Sequence, residues 1–164
     1  MRFRVERVQV EGLPGKVDAI AAFARLHGRQ STAGILARLA VSKVPSSWPR
    51  DFNILAIGRF VRKLYRYNRE RRETVLGPRA AILLRSGDCD CAAALCCMLA
   101  VASRIPCRFA VGWFGGNARH IWAELRTQGG RWVPIDASTW KIEIGDDPRD
   151  VRPWQRVTLH AVDG

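Results

Sequence analysis

The sequence predicts an α+β fold in which an N-terminal helical part packs on an antiparallel β-sheet formed further along the chain. Three observations carry this. Apolar residues recur three and four apart through residues 19–68, the period of amphipathic helices. Residues 89–103 are apolar nearly all round, as befits a helix at the centre of a fold. From residue 108 onward, short runs rich in β-branched and aromatic residues alternate with glycine turns.

Taken in order, residues 1–10 interleave Arg2, Arg4, Glu6 and Gln9 with Phe3, Val5, Val8 and Val10, which predicts a half-buried strand or an N-terminal arm. Gly12, Pro14 and Gly15 end it. Residues 19–26 and 32–39, divided by His27 and Gly28, predict a helical hairpin, and Pro45, Ser46, Ser47 and Pro49 mark the loop after it. Asp51 stands where an N-cap belongs for a long helix over residues 51–68. There Ile54, Ile57, Val61, Leu64, Tyr65 and Asn68 share one face, and Arg59, Arg62, Lys63, Arg66 and Arg69 take the other. Pro78 opens a short helix that leads to Gly87, and Cys89 begins the buried helix, which ends near Ser103. Strands follow over residues 108–113, 120–126 and 131–135, with turns at Gly115, Gly116 and Asn117 and at Gly129 and Gly130. Pro148 and Pro153 predict an irregular segment, and residues 156–162 a last strand paired with the N-terminal one. The expected organisation is a single domain over 1–164: strand and hairpin in 1–49, the core in 50–140, and a C-terminal extension or strand in 141–164.

With 48% hydrophobic residues, 164 residues suffice for a core that needs no metal or disulfide. The net charge of +12 attracts polyanions, and no nucleic-acid-reading motif accompanies it, so weak, salt-dependent, non-specific binding is expected from the basic face of residues 51–68. The longest apolar run, residues 91–103, is too short to span a bilayer, and residues 1–10 lack the apolar core of a secretion signal. Synthesis in the cytoplasm is the expectation. All five cysteines lie between positions 89 and 107, four of them on one helix, so they cannot staple distant segments. Free thiols follow, and neither metal nor cofactor is expected, because neighbouring helix positions diverge too far to share a tetrahedral ion.

The candidate site begins at Cys89. A cysteine nucleophile needs N–H groups and a helix dipole to lower its pKa, and a histidine to take its proton. Cys89 follows Gly87 and Asp88 at a helix start, where unpaired N–H groups also suit a developing oxyanion. His120 opens a strand, and Asp136 ends the next one after a glycine hairpin, so antiparallel pairing brings ring and carboxylate together. The aspartate would then orient the ring and stabilise its cationic form. Trp48, Tyr65 and Tyr67 are candidates for a side-chain oxyanion donor. Cys91, Cys96, Cys97 and Cys107 read as packing, and His27 and His160 as surface or turn residues. Asp88 and Asp90 favour the helix dipole, and Trp113, Trp122, Trp132 and Trp140 read as core more than as groove.

Four blocks in this order resemble the transglutaminase-like superfamily. They are Arg85-Ser86-Gly87-Asp88-Cys89-Asp90 before an Ala/Leu-rich helix, Arg104-Ile105-Pro106-Cys107-Arg108-Phe109, His120-Ile121-Trp122-Ala123-Glu124, and Trp132-Val133-Pro134-Ile135-Asp136. The stretch from Phe60 to Pro78 is similar to the region before the cysteine in phage- and prophage-encoded members. The resemblance spans about residues 50–140. It implies a papain-like fold, with Cys89 as nucleophile, His120 as general base and acid, and Asp136 as the group that orients His120. Cys91 and Cys107 depart from the pattern, standing where relatives often have aspartate and alanine.

The chemistry so implied is acyl transfer through a thioester. The first expectation is a cysteine peptidase or amidase acting on a peptide or protein substrate, such as cell-wall peptides or a virion protein, with phage tail proteins as partners. A transglutaminase-type amine transferase and a non-catalytic interaction module are the alternatives.

Overall fold

The structure is a computed structural model and describes residues 7–9, 12–64, 66–68 and 74–162. β1 (Arg7–Gln9) precedes α1 (Gly12–Gly28) and α2 (Ser31–Val41), the two arms of the expected hairpin. α1 buries Val17, Ile20, Ala21 and Ala24, the three-four spacing of one helix face. α3 (Phe52–Leu64) buries Ile54, Ile57, Gly58 and Val61 in the same manner. β2 (Arg66–Tyr67), β3 (Thr74–Leu76), α4 (Pro78–Leu84) and β4 (Ser86–Gly87) lead to α5 (Cys89–Ala102). β5 (Cys107–Phe114), β6 (Asn117–Arg126) and β7 (Trp132–Ile135) follow, and after them α6 (Pro148–Val151) and β8 (Arg156–Ala161). The main sheet is antiparallel, in the order β7-β6-β5-β8.

α5 is the hub. Every residue of it from Asp90 to Ala100 is buried, with α1, α2, α3 and α4 packed around it and β6 against it. Its alanines let these neighbours approach closely, while Leu95 and Leu99 lose all exposure, about 1.5–3 kcal/mol of transfer free energy each. Two glycines make such approaches possible. A Cβ at Gly28 would meet Val101 at 2.7 Å, and one at Gly58 would meet Ile135 and Ile144 at 2.7 Å. The second contact locks α3 against the end of β7, next to Asp136.

Several expectations are corrected. The helix predicted over 51–68 stops at Leu64, because residues 66–68 pair in parallel with β4: the Arg66 N–H donates to Arg85 O (2.9 Å) and the Asn68 N–H to Gly87 O (2.8 Å). Tyr65 and Arg69 lie outside the described residues. Arg62, expected on the outer basic face, is buried. Asp51 accepts a hydrogen bond from the Gln128 N–H (3.0 Å), tying the start of α3 to the β6–β7 turn. The last strand pairs with β5, not with the N-terminal strand, through a six-residue ladder from Arg108↔Ala161 to Trp113↔Arg156. β1 pairs instead with β3, and residues 1–6 and 10 of the predicted N-terminal strand lie outside the described residues. The segment around Pro148 contains α6, capped by Asp147, which accepts from the Arg149 N–H. His27 is buried against Phe23 rather than exposed. Among the described residues, no helix is long and apolar enough to cross a membrane.

Candidate active site

Cys89 is the first residue of α5 and is half-buried. The first intrahelical bond runs from the Ala92 N–H to Asp88 O (3.2 Å), so the N–H groups of Cys89, Asp90 and Cys91 have no acceptor within the helix. That of Cys91 goes to Asp90 Oδ1 (2.8 Å). The β2–β4 pair holds Gly87, and with it the approach to Cys89, in an extended backbone.

His120 lies on β6 beyond the end of β7, and Asp136 directly follows β7. Its Nε2 meets Asp136 Oδ2 at 2.6 Å. The other carboxylate oxygen, Oδ1, accepts from the Ser138 N–H (3.1 Å) and hydroxyl (2.6 Å). From behind, Arg62 Nη2 donates to Asp136 O (2.7 Å) and Ile142 O (2.6 Å), pinning the backbone on both sides of the turn. On its other side His120 is electrostatically coupled to Cys89, and the backbone of Ile121 also acts on the thiol. Since Nε2 is committed to Asp136, the nitrogen left for the thiol is Nδ1. The three residues singled out from the sequence thus come together, His120 bonded to Asp136 and electrostatically coupled to Cys89.

Its electrostatics follow from partly opposed causes. Burial pushes the Cys89 thiol up, but the His120 hydrogen bond and charge, the Ile121 backbone and the Lys16 charge together bring it below its ordinary value. Burial alone would lower His120; the bonds and charges of Asp136 and Cys89 override it and raise the ring to about 10. Asp136 is likewise raised by burial but held below the usual carboxylate range by His120 and Ser138. These directions favour a thiolate beside an imidazolium. Cys96 shows the contrast: burial pushes its thiol far up, with no histidine to oppose it.

Several residues of the site escaped the sequence reading. Ser138 had a signal, the Asp-x-Ser turn in which an aspartate accepts from the N–H two residues on. Trp154 had none: its ring lies nearly parallel to that of His120 (6.2 Å between centroids, 9° between planes) and covers Gly112, where a Cβ would meet it at 2.6 Å. Trp122 completes the stack at 6.0 Å from His120. Farther along the same sheet face, fully buried Glu124 is clamped by Arg108 (2.6 Å) and Arg149 (2.9 Å). Lys16 ion-pairs with Asp90 (2.8 Å) and stands 4.0 Å from Asp88, so the cation at this acidic corner, which Cys91 also borders, is a lysine of α1.

The remaining candidates divide. Cys91, Cys96, Cys97 and Cys107 are buried, and none of the five cysteines is in a disulfide. Tyr67 lies on β2 and lines a cavity beside the site, as does Trp140, which is 71% exposed. Trp48 packs on Phe52 and is not part of that lining. Trp113 bonds Thr158 through its indole N–H, and Trp132 stacks under Arg108, so neither lines that cavity. His160 bonds Thr158 on β8, away from Cys89.

Comparison with known proteins agrees with this architecture. No curated protein sequence matches the chain. Two solved structures share its fold at low identity. One is a candidate cysteine protease from Cytophaga hutchinsonii, with a TM-score of 0.53 and 18% identity over 93% of this chain. The other is a candidate protease from Parabacteroides distasonis, with a TM-score of 0.55 and 15% identity over 77% of this chain. The chain spans 55% of the length of the first and 27% of the second. The sequence model of the transglutaminase-like superfamily matches residues 36–137, from α2 through the buried cysteine helix to the residue after Asp136. The chain therefore belongs to the transglutaminase-like superfamily.

Proposed function

We propose that the chain is a cysteine-dependent acyl-transfer hydrolase, a peptidase or amidase, in which Cys89 is the nucleophile, His120 the general base and acid, and Asp136 the group that orients His120. The observation that carries this reading is the His120–Asp136 hydrogen bond set against Cys89 at the N-terminus of α5, with a lowered thiol and a raised imidazole. The Cys89 thiolate attacks the carbonyl carbon of an amide, and charge develops on its oxygen near the first N–H groups of α5, at the positive end of the helix dipole. As the C–N bond breaks, the His120 imidazolium protonates the departing amine, leaving a thioester and a neutral ring. His120 then takes a proton from water; the hydroxyl adds to the thioester, and the intermediate collapses to the carboxylic acid and the Cys89 thiolate, restoring the thiolate beside the imidazolium.

The family match favours a second reading, in which an amine in place of water resolves the thioester. Cell-wall peptides or a phage tail protein as substrate, and association with a virion, rest on the resemblance of residues 60–78 to phage-encoded proteins. The experiment is to incubate wild type and Cys89→Ala with cell-wall peptides and glutamine-containing peptides, with and without a primary amine, and to weigh the products. Hydrolysis that Cys89→Ala abolishes supports the hydrolase, and amine incorporation supports the transferase. A Cys89 no more reactive toward iodoacetamide than the buried thiols, with no thioester and no product, refutes both.

A further inference from the structure

A cavity of about 840 Å3 opens beside the triad, bounded by Ser138, which bonds Asp136, and by Ser86, three residues before Cys89. Four cations line it: Arg62, Lys63, Arg66 and Arg85. No acidic side chain does so among the described residues, and none of the four has a carboxylate partner among them.

Arg62 points to a ligand most directly. It is 5% exposed, its Nη2 serves two backbone carbonyls, and its Nε is buried with no acceptor among the described residues. A buried guanidinium without a counter-charge costs several kcal/mol, and a carboxylate in the cavity supplies the missing charge. The Trp140 ring, centred 5.2 Å from this guanidinium and largely exposed, adds an apolar wall for the body of a ligand.

Resting on the acyl-transfer reading above, we infer that this cavity is the substrate's anion subsite, taking a side-chain or terminal carboxylate of an acidic peptide whose scissile carbonyl lies at Cys89. The cations converge in a concavity of ligand size, with one of them buried. A nucleic-acid surface would instead present a solvated stripe of charge that follows a phosphate backbone.

The test uses Cys89→Ala, which keeps the cavity and stops turnover, and fluorescein-labelled tetrapeptides alternating glutamate or glutamine with alanine. Fluorescence anisotropy should show the glutamate peptide bound about tenfold or more tightly than the glutamine peptide at low salt, about 1.4 kcal/mol. Arg66→Gln with Arg85→Gln should erase that preference. Arg131→Gln, which removes an exposed charge outside the cavity, should preserve it. Arg62 is kept because it also holds two carbonyls. Equal binding of the two peptides, or an equal loss in Arg131→Gln, overturns the subsite. So does a single-stranded oligonucleotide that binds more tightly than the peptide with the same dependence on Arg66 and Arg85. Iodoacetamide labelling of wild-type Cys89 tests the acyl-transfer reading separately. A reactive thiol beside a charge-indifferent cavity refutes the subsite alone, and an unreactive thiol beside a selective one refutes its role in a substrate.

Discussion

Replacing His120 by alanine separates the two opposed influences on Cys89. The substitution removes the hydrogen bond and the imidazolium charge but keeps the burial, which pushes the thiol up. A hydrogen bond to a charged group contributes about 1.5–3 kcal/mol, and a charge pair about 4 Å apart adds up to about 4 kcal/mol at an effective dielectric constant near 20. Taking about 3 kcal/mol as the combined loss, and 1.36 kcal/mol per pKa unit, the titration of Cys89 should rise by about two pH units. Where the variant titrates above neutrality, the thiolate at pH 7 falls by up to about a hundredfold. A more basic thiolate is also about tenfold more nucleophilic over that interval, so the net slowing of alkylation at pH 7 should be about tenfold. The assay is the iodoacetamide rate at Cys89 as a function of pH, read by mass spectrometry of the peptide that carries it. Asp136→Asn should shift the same profile less, since the ring remains. A His120→Ala profile that keeps the wild-type midpoint, in a protein that still melts cooperatively, refutes the ion-pair argument.

Three further outcomes are expected. Gly112→Ala places a methyl group 2.6 Å from Trp154 and should lift that ring off His120, costing about 1–3 kcal/mol in urea unfolding and changing the near-ultraviolet circular dichroism of the tryptophans. An unchanged spectrum and stability would show that the stack does not depend on the glycine. Glu124→Ala leaves Arg108 and Arg149 without their shared carboxylate and should cost about 3 kcal/mol, the low end for a broken buried pair because Arg149 is partly exposed, while alkylation of Cys89 stays near the wild-type rate. The third concerns pH. His120, raised to about 10, contributes stability that is complete below its unfolded value of about 6.5 and lost as pH rises through about 10. Cys89, depressed, acts in the opposite sense and gains until its unfolded value of about 8.5. Wherever Cys89 is ionised in the folded state and protonated in the unfolded one, up to about pH 8.5, its gain offsets the His120 loss; from there to pH 10 the His120 loss stands alone, about 2 kcal/mol. The difference in urea stability between wild type and the Cys89→Ala, His120→Ala double variant, under reducing conditions, should therefore level off approaching pH 8.5 and fall beyond it; a decline as steep just below pH 8.5 as above it contradicts the paired titration.

The order of helices before sheet, the place and burial of α5, and the three segments bearing Cys89, His120 and Asp136 were legible in the sequence. The reason is that period and composition record how much of each side chain is to be buried: the run from Cys91 to Ala100 has no polar face to turn toward water. They do not record the partner. Arg62 sits at a helical position that, by period alone, belongs to the basic face, yet two carbonyls 74 and 80 residues away draw it inward. Residues 66–68 continue the helical pattern but leave the helix because β4 offers them backbone hydrogen bonds. The last strand reads as a strand from its own residues, and only the edge left open at β5 decides where it pairs. Trp154 follows Asp136 by 18 positions with no pattern between them; it covers His120 because the chain after Asp136 returns through α6 across the sheet. Local alternation and helix period are properties of neighbouring residues and so can be written in a few letters. The contacts that hold His120, Asp136 and Arg62 in place are between segments far apart in the chain, and only the folded packing brings those segments together.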